Sequence, residues 1–210
     1  MRVGFLSTRL AGTDGVSLET AKLAVICRRL GHDVFYCAGE LDPDGPPGLL
    51  VPEMHFTHPE ARWIHDHSFG VAVAPAGLTA RITAMAGSLR ASIGRFVDEF
   101  QIDVLVPENA LTIPMHVPLG VALADFIAET GMPVINHNHD FYWERERFRV
   151  TCIGDILSRA FPPDLPSVQH LVINSLAQKA LRARLDIGAT LLPNIFDFAS
   201  AAPAMTSVQP

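Results

Sequence analysis

The residues able to do chemistry in this 210-residue chain gather at a few places. The densest run is His137-Asn138-His139-Asp140-Phe141-Tyr142-Trp143-Glu144-Arg145-Glu146-Arg147. His137 and His139 stand two apart, so in an extended strand both project from the same face. Such a pair can hold a metal ion, although spacing fixes no other ligand. An imidazole at a strand end can instead hydrogen-bond a hydroxyl or a phosphate. Phe141, Tyr142 and Trp143 offer stacking faces, and Arg145 and Arg147 offer cations for anionic groups. The plainer reading of the arginines is a surface helix with Glu144 and Arg147 paired at i, i+3.

Two other segments carry weaker signals. Gly12-Thr13-Asp14-Gly15-Val16-Ser17 lies between an apolar run and a helical pattern. Its glycines let backbone approach a ligand, and a helix start offers free N–H groups to an anion. It is neither GxGxxG nor a Walker loop, so the standard dinucleotide and ATP fingerprints are lacking. The plain alternative is a turn with Ser17 as helix cap. Glu108-Asn109 can bind sugar hydroxyls, or Glu108 can act as a base, but no partner for it is visible in the sequence. His55, His58, His65 and His67 read as surface histidines on a loop rather than a metal cluster.

These residues need elements to position them. Arg2 to Ser7 is an apolar run of strand length, Ser17 to Leu30 is helical in period and stopped by Gly31, and Asp33 to Ala38 is a second strand. The three form a βαβ unit. In the helix, Leu18, Ala21, Leu23, Ala24, Ile26, Cys27 and Leu30 make up the apolar stripe. Asp42 to Gly48 is a loop, Val51 to Phe56 a short strand, and Leu78 to Phe100 one or two amphipathic helices. Asp103 to Val106 is the next strand. Val117 to Thr130 is a helix, and Pro133 to His137 starts a strand ending at Asp140. Asp155 to Phe161 is a short helix, Val168 to Ile173 a strand, Leu176 to Leu185 a helix capped by Ser175, and Ala189 to Leu192 a last strand. Strands alternating with helices predict an α/β fold: a Rossmann-like, doubly wound, mostly parallel sheet with helices on both faces. Ligands of such folds sit outside the carboxyl ends of the strands, where all the segments above fall.

Composition narrows the function. Apolar residues make up 49% and charged residues 18%, which fits a globular chain. The net charge is −6 and no basic run stands out, which argues against a partner neutralised phosphate by phosphate, such as a nucleic acid. Cys27, Cys37 and Cys152 form no CxxC pair and fit reduced thiols in a cytoplasmic protein. The amino-terminal apolar run is too short for a signal peptide, and no stretch approaches the ~20 residues of a membrane helix.

The segments together resemble the N-terminal half of a retaining GT-B glycosyltransferase, in the large family (family 4, group 1) that includes sucrose-phosphate and mannosyl transferases. In that family the first strand leads to a Gly-Gly-Val type loop at the donor phosphates; here Asp14-Gly15-Val16 stands there, with Asp14 in place of the first Gly. The family has a Pro-Val-Val strand with a His six residues after the Pro, which Pro133 and His139 match, and His139-Asp140 is its common dipeptide. Ile173-Asn174-Ser175 is similar to the strand and Ser before the family's last helix of this half. Pro193-Asn194-Ile195-Phe196-Asp197 is similar to its closing Pro-Asn-Gly-Val-Asp, with Ile195 replacing Gly. The resemblance covers residues 1–198; the Ala/Ser/Pro-rich 199–210 reads as a poorly ordered linker or tail.

The resemblance implies transfer of a hexosyl group from a nucleotide-diphosphate sugar to a small-molecule or glycan acceptor, with retention. It implies His139 as the catalytic-site residue near the transferred sugar, and Gly15 and Val16 at the donor diphosphate. Asp14, Glu108, Asn109, Asp140 and Tyr142 are the expected substrate contacts. Neither a metal nor a cofactor beyond the donor is expected. Family members carry roughly 150–200 further residues, a second domain with the donor site and a Glu-x7-Glu motif. The expectation is therefore an acceptor-side domain, inactive alone, whose partner domain lies in cis or on another chain, with homodimerisation through an exposed apolar face as a further possibility. Two rival readings stand beside it: a non-catalytic Rossmann-like sugar- or protein-binding module, and a metallohydrolase using His137, His139 and Asp140.

Overall fold

The computed structural model describes residues 1–194; Ile195, Phe196, Asp197 and the 199–210 segment lie outside the described residues. Seven strands form one sheet in the order β3-β2-β1-β4-β5-β6-β7, every pair parallel. They are β1 (Arg2–Ser7), β2 (Asp33–Ala38), β3 (Gly48–Leu50), β4 (Val104–Pro107), β5 (Val134–Asn138), β6 (Val168–Val172) and β7 (Ala189–Leu191). The helices are α1 (Gly15–Arg29), α2 (Pro59–Ser68), α3 (Leu78–Phe100), α4 (Val117–Thr130), α5 (Gly154–Ala160) and α6 (Ser175–Leu185). The doubly wound parallel sheet expected from the alternation is the fold observed.

The larger core lies between the sheet and α2 to α5, with Ile82, Leu89, Ile93 and Phe96 of α3 facing Leu119, Leu123 and Ile127 of α4. A smaller core of Val3, Phe5, Val34, Tyr36 and Val106 lies under α1, and a third, around Phe141, Val172 and Leu181, under α6. α4 buries every residue from Val117 to Ala124 together with Phe126 and Ile127, leaving Asp125 and its last turn toward the surface.

Several expectations are corrected. The strand expected at Val51 to Phe56 sits at Gly48–Leu50, and Pro52–Met54 is a 3-10 turn. Proline lacks the N–H a ladder needs. Gly48 suits the edge because a Cβ there would stand 2.0 Å from the Tyr36 carbonyl oxygen. The histidine-rich stretch is not all loop: α2 begins with Pro59 in its first turn and buries Ala61, Ile64 and Ser68, placing His65 and His67 on a helix. α3 is a single helix of 23 residues.

α1 starts earlier than expected and is capped by Asp14, not Ser17. It buries Ser17, Glu19, Thr20 and Ala24, while Leu18 (50%), Ile26 (42%) and Leu30 (69%) of the expected apolar stripe are exposed. Small residues at i, i+3 and i+7 let this helix approach the sheet closely, and that contact overrides the apolar period. α6 is capped by Asn174, whose side chain accepts from the Ala177 N–H, rather than by Ser175. Residues 142–148 form two 3-10 turns instead of a surface helix, and Glu144 accepts from the Phe141 N–H at 2.8 Å rather than pairing with Arg147. Among the described residues no helix is long and apolar enough to cross a membrane.

Candidate functional site

Strand order reverses between β1 and β4: from β1 the chain winds outward to β2 and β3, and from β4 it winds the other way. At such a switch point the loops leaving two adjacent strands diverge and open a crevice at their carboxyl ends. A cleft of about 260 Å³ lies there. Ser7 lines it from the end of β1, Arg9 and Asp14 from beyond β1, Glu108 and Asn109 from beyond β4, and Arg145 and Arg147 from beyond β5.

Glu108 is its buried centre. Its N–H donates to the Leu6 carbonyl at 2.8 Å, and its own carbonyl accepts from Ser7 Oγ at 3.0 Å, which pins it to β1. Its bridge to His137 continues the β4–β5 register that pairs Leu105 with Val134. Glu108 Oε2 accepts from His137 Nδ1 at 2.9 Å and from His139 Nε2 at 3.1 Å. Side-chain exposure is 0% for Glu108, 1% for His137 and 10% for His139, so only the last reaches the surface. Burial opposes charge on Glu108, but the hydrogen bonds from His137 and His139 prevail and hold its carboxyl below the usual value.

An ionised carboxylate only accepts, so the proton of His137 sits on Nδ1 and that of His139 on Nε2. With Nε2 turned to Glu108, Nδ1 is the His139 nitrogen left to face a hydroxyl. This is the carboxylate–imidazole pairing that orients a general base or a hydrogen-bonding histidine. The ligand atoms of Glu108, His137 and His139 also lie within 4.8 Å of one another, close enough to share one small cation. The third member of that set is Glu108, whereas the rival hydrolase reading drew on Asp140.

Asp140 has other partners. Its Oδ1 accepts from Asn109 Nδ2 at 3.0 Å and its Oδ2 from Arg145 Nε at 2.5 Å. Asn109 adopts φ +59°, a left-handed conformation that asparagine tolerates. Its Oδ1 accepts from the His139 N–H at 3.1 Å, and its own N–H donates to the His137 carbonyl at 3.0 Å. Asn109 thus ties the β4 loop to the β5 loop on both sides of Glu108.

Asp14 stands where a phosphate would meet the N-terminus of α1. Its Oδ1 accepts from the Val16 and Ser17 N–H groups at 3.1 and 3.2 Å, and its Oδ2 from Ser17 Oγ at 2.7 Å and Arg9 Nη2 at 2.9 Å. Burial pushes its pKa up, but the Ser17 and Arg9 contacts more than reverse this and leave it lowered. Gly15 begins α1 beside it, and Val16 lines the cleft. Tyr142 is half-buried against the larger core, outside the cleft lining, and Phe141 is fully buried, stacked on Trp143 at 4.4 Å.

Arg9, paired with Asp14, and His116 both line the cleft and escaped the sequence reading. His116, 2% exposed, caps α4 by accepting from the Leu119 N–H at 3.1 Å through Nδ1, and Nε2 lies 2.9 Å from the Glu53 carbonyl. Burial drives its pKa down to about 4. The only hint was His116-Val117-Pro118 ahead of an apolar helix, with proline in the first turn.

No protein-family model matches the chain. It is 29% identical over 201 residues to a mannosylglucosylglycerate synthase of Petrotoga mobilis, covering 94% of this chain and 46% of that protein. It is 30% identical over 213 residues to a mannosylglucosylglycerate synthase of Thermotoga maritima, covering 95% of this chain and 46% of that protein. The chain is similar to two mannosylglucosylglycerate synthases. The motif resemblance pointed to the same class, and the chain spans about half the length of the curated relatives it matches. Among solved structures, a deacetylase of teicoplanin biosynthesis shares 16% identity and a TM-score of 0.43 over 64% of this chain and 65% of its own. MurG of Acinetobacter baumannii shares 15% and a TM-score of 0.36 over 94% and 69%.

Proposed function

We propose that this chain supplies the acceptor side of a glycosyltransferase that moves a hexosyl group from a nucleotide-diphosphate sugar to an acceptor hydroxyl with retention. The observation that carries the reading is its similarity to two mannosylglucosylglycerate synthases along 94% and 95% of its length. The switch-point cleft supports it, since the acceptor hydroxyl must meet a hydrogen-bonding group in a crevice that a second domain can close.

In this reading His139, held by Glu108, contacts the transferred sugar or the acceptor hydroxyl through Nδ1. Asn109 and Asp140 fix the His139 backbone and the Arg145 guanidinium. Gly15 and Val16 border the donor diphosphate, with Asp14 satisfying the helix N–H groups and Arg9. Charge developing on the leaving diphosphate is met by cations and the groups of a second domain, in cis or on another chain. Tyr142 contributes through packing. No resident cofactor is required.

The test is nucleoside-diphosphate release from nucleotide sugars, with the anomeric configuration of the product read by NMR. The 210-residue chain alone is expected to release none, and joined to a donor-binding half it is expected to form a product with the donor's anomeric configuration. Turnover by the chain alone, or inversion, would defeat the reading. The Glu108, His137 and His139 cluster favours one rival, a metal-dependent hydrolase. Stoichiometric zinc or manganese in the purified protein, with loss of a hydrolytic activity on chelation, would favour that rival instead.

A further inference from the structure

Glu108, His137 and His139 form a group that the hydrogen bonds between them do not complete. Among the described residues they are the one set of three His, Cys, Asp or Glu side chains whose ligand atoms lie within 4.8 Å of one another. Glu108 Oε2 stands 2.9 Å from His137 Nδ1 and 3.1 Å from His139 Nε2. Ligand atoms on a tetrahedral zinc ion, each about 2.0–2.1 Å from the metal, stand roughly 3.3 Å from one another. The spacings here need to open by only a few tenths of an ångström to admit such an ion. The two imidazole rings, with centroids 4.5 Å apart, turn their nitrogens to the same oxygen. Each of the three side chains is at least nine-tenths buried, so this is no solvated cluster of surface carboxylates. The other oxygen of Glu108, Oε1, is buried with no hydrogen-bond partner, and Glu108 lines the cleft. A buried carboxylate oxygen in that state is completed by a donor from outside the chain.

We infer that these three side chains bind one zinc-class divalent cation, with a water on its fourth position donating to Glu108 Oε1. Two imidazole nitrogens and one carboxylate oxygen suit zinc, whereas magnesium and calcium prefer oxygen ligands throughout. Asp140 stands outside the set, because Asn109 and Arg145 hold both of its oxygens. A ring nitrogen that coordinates a metal carries no proton. The ion therefore takes the place of the protons that His137 Nδ1 and His139 Nε2 direct at Glu108, and each ring carries its proton on the other nitrogen. His137 Nε2 is buried without a partner, so this exchange breaks no hydrogen bond there. His139 is left with an N–H at Nδ1. The ion site is independent of the acceptor-side reading; on that reading, the loaded site presents this N–H to the acceptor hydroxyl. The cation is thus a switch on the hydrogen-bonding sense of His139 rather than a resident cofactor.

Calorimetric titration of the chelator-treated 210-residue chain tests this, with zinc, magnesium and calcium chlorides as probes. One equivalent of zinc is expected to bind, with magnesium and calcium at least roughly a hundredfold weaker. His139→Ala should weaken zinc on the order of a hundredfold, because it removes one of three ligands. Glu108→Gln should weaken it at least about tenfold, and it carries the test should the alanine variant unfold. His65→Ala, on α2, should bind as the parent does. Long-range nitrogen–proton NMR of the zinc-loaded chain should show His137 protonated at Nε2 and His139 at Nδ1. Zinc bound equally by the parent and both site variants would mark an adventitious ion only and overturn the inference. So would magnesium as tight as zinc, or a His139 still protonated at Nε2 with zinc bound. Binding and tautomer are read without turnover, so failed transfer would defeat the proposed function while leaving this result standing.

Discussion

Oε2 of Glu108 lies 3.1 Å from Nε2 of His139, and the same oxygen holds His137 Nδ1 at 2.9 Å. One buried carboxylate oxygen thus sets the tautomer of two imidazoles, and it does so in opposite senses. Long-range nitrogen–proton NMR near pH 7.5 should show His137 protonated at Nδ1 and His139 at Nε2. Finding His137 protonated only at Nε2 would refute the arrangement.

Replacing Glu108 should cost both stability and order in the cleft. Glu108→Ala leaves two ring N–H groups without their acceptor, and each such loss costs about 1–3 kcal/mol. Urea unfolding is expected to show a loss of about 3 kcal/mol. Glu108→Gln keeps one oxygen acceptor and should lose less, while freeing the His139 tautomer to exchange. A Glu108→Ala protein as stable as the parent would contradict the burial and bonding described.

Stability should fall on mild acidification because of His116. Its pKa is about 4 in the folded chain against an ordinary 6.5, so the unfolded state binds the proton first. The contribution is complete above pH 6.5 and is lost as pH falls toward 4, in all about 3 kcal/mol by linkage. Glu108 and Asp14, both lowered, add losses below the ordinary carboxylate range. His116→Asn can keep the helix cap and should flatten the curve between pH 6.5 and 4. An identical slope in that variant would exclude His116 as the cause.

Asp14 trades an anion site for a helix cap. Asp14→Ala should lower stability by about 1 kcal/mol, as lost caps do, and free the Val16 and Ser17 N–H groups together with Arg9. Inorganic phosphate should then stabilise the variant more than the parent in thermal melts. Equal stabilisation of the two would show that the helix terminus does not take anions.

Gly120 in the middle of α4 is a packing requirement. A Cβ there would stand 2.0 Å from Phe161 Cζ, so Gly120→Ala forces that ring aside in a filled core. Overpacking of this kind costs about 1–3 kcal/mol, despite alanine's better helix propensity. A neutral or stabilising result would mean that Phe161 has room to move.

What the sequence alone determined is the local part. The apolar run of β1, the amphipathic period of α3, the breaks at Gly31 and Gly131 and the strand ends near Glu108 and His139 were all readable, because strand and helix periods are written in adjacent residues. α2 was hidden because histidines mask a helix whose signals are Pro59 and three buried positions, and α1 misled because its buried face is made of Ser17, Thr20 and Ala24. Only the tertiary structure decided the site. Glu108 finds its imidazoles 29 and 31 residues away through the parallel register of β4 with β5, and Asp140 is drawn off to Asn109 and Arg145. The reason is physical: a period repeats along the chain, whereas a register is settled by packing between segments that the chain keeps apart.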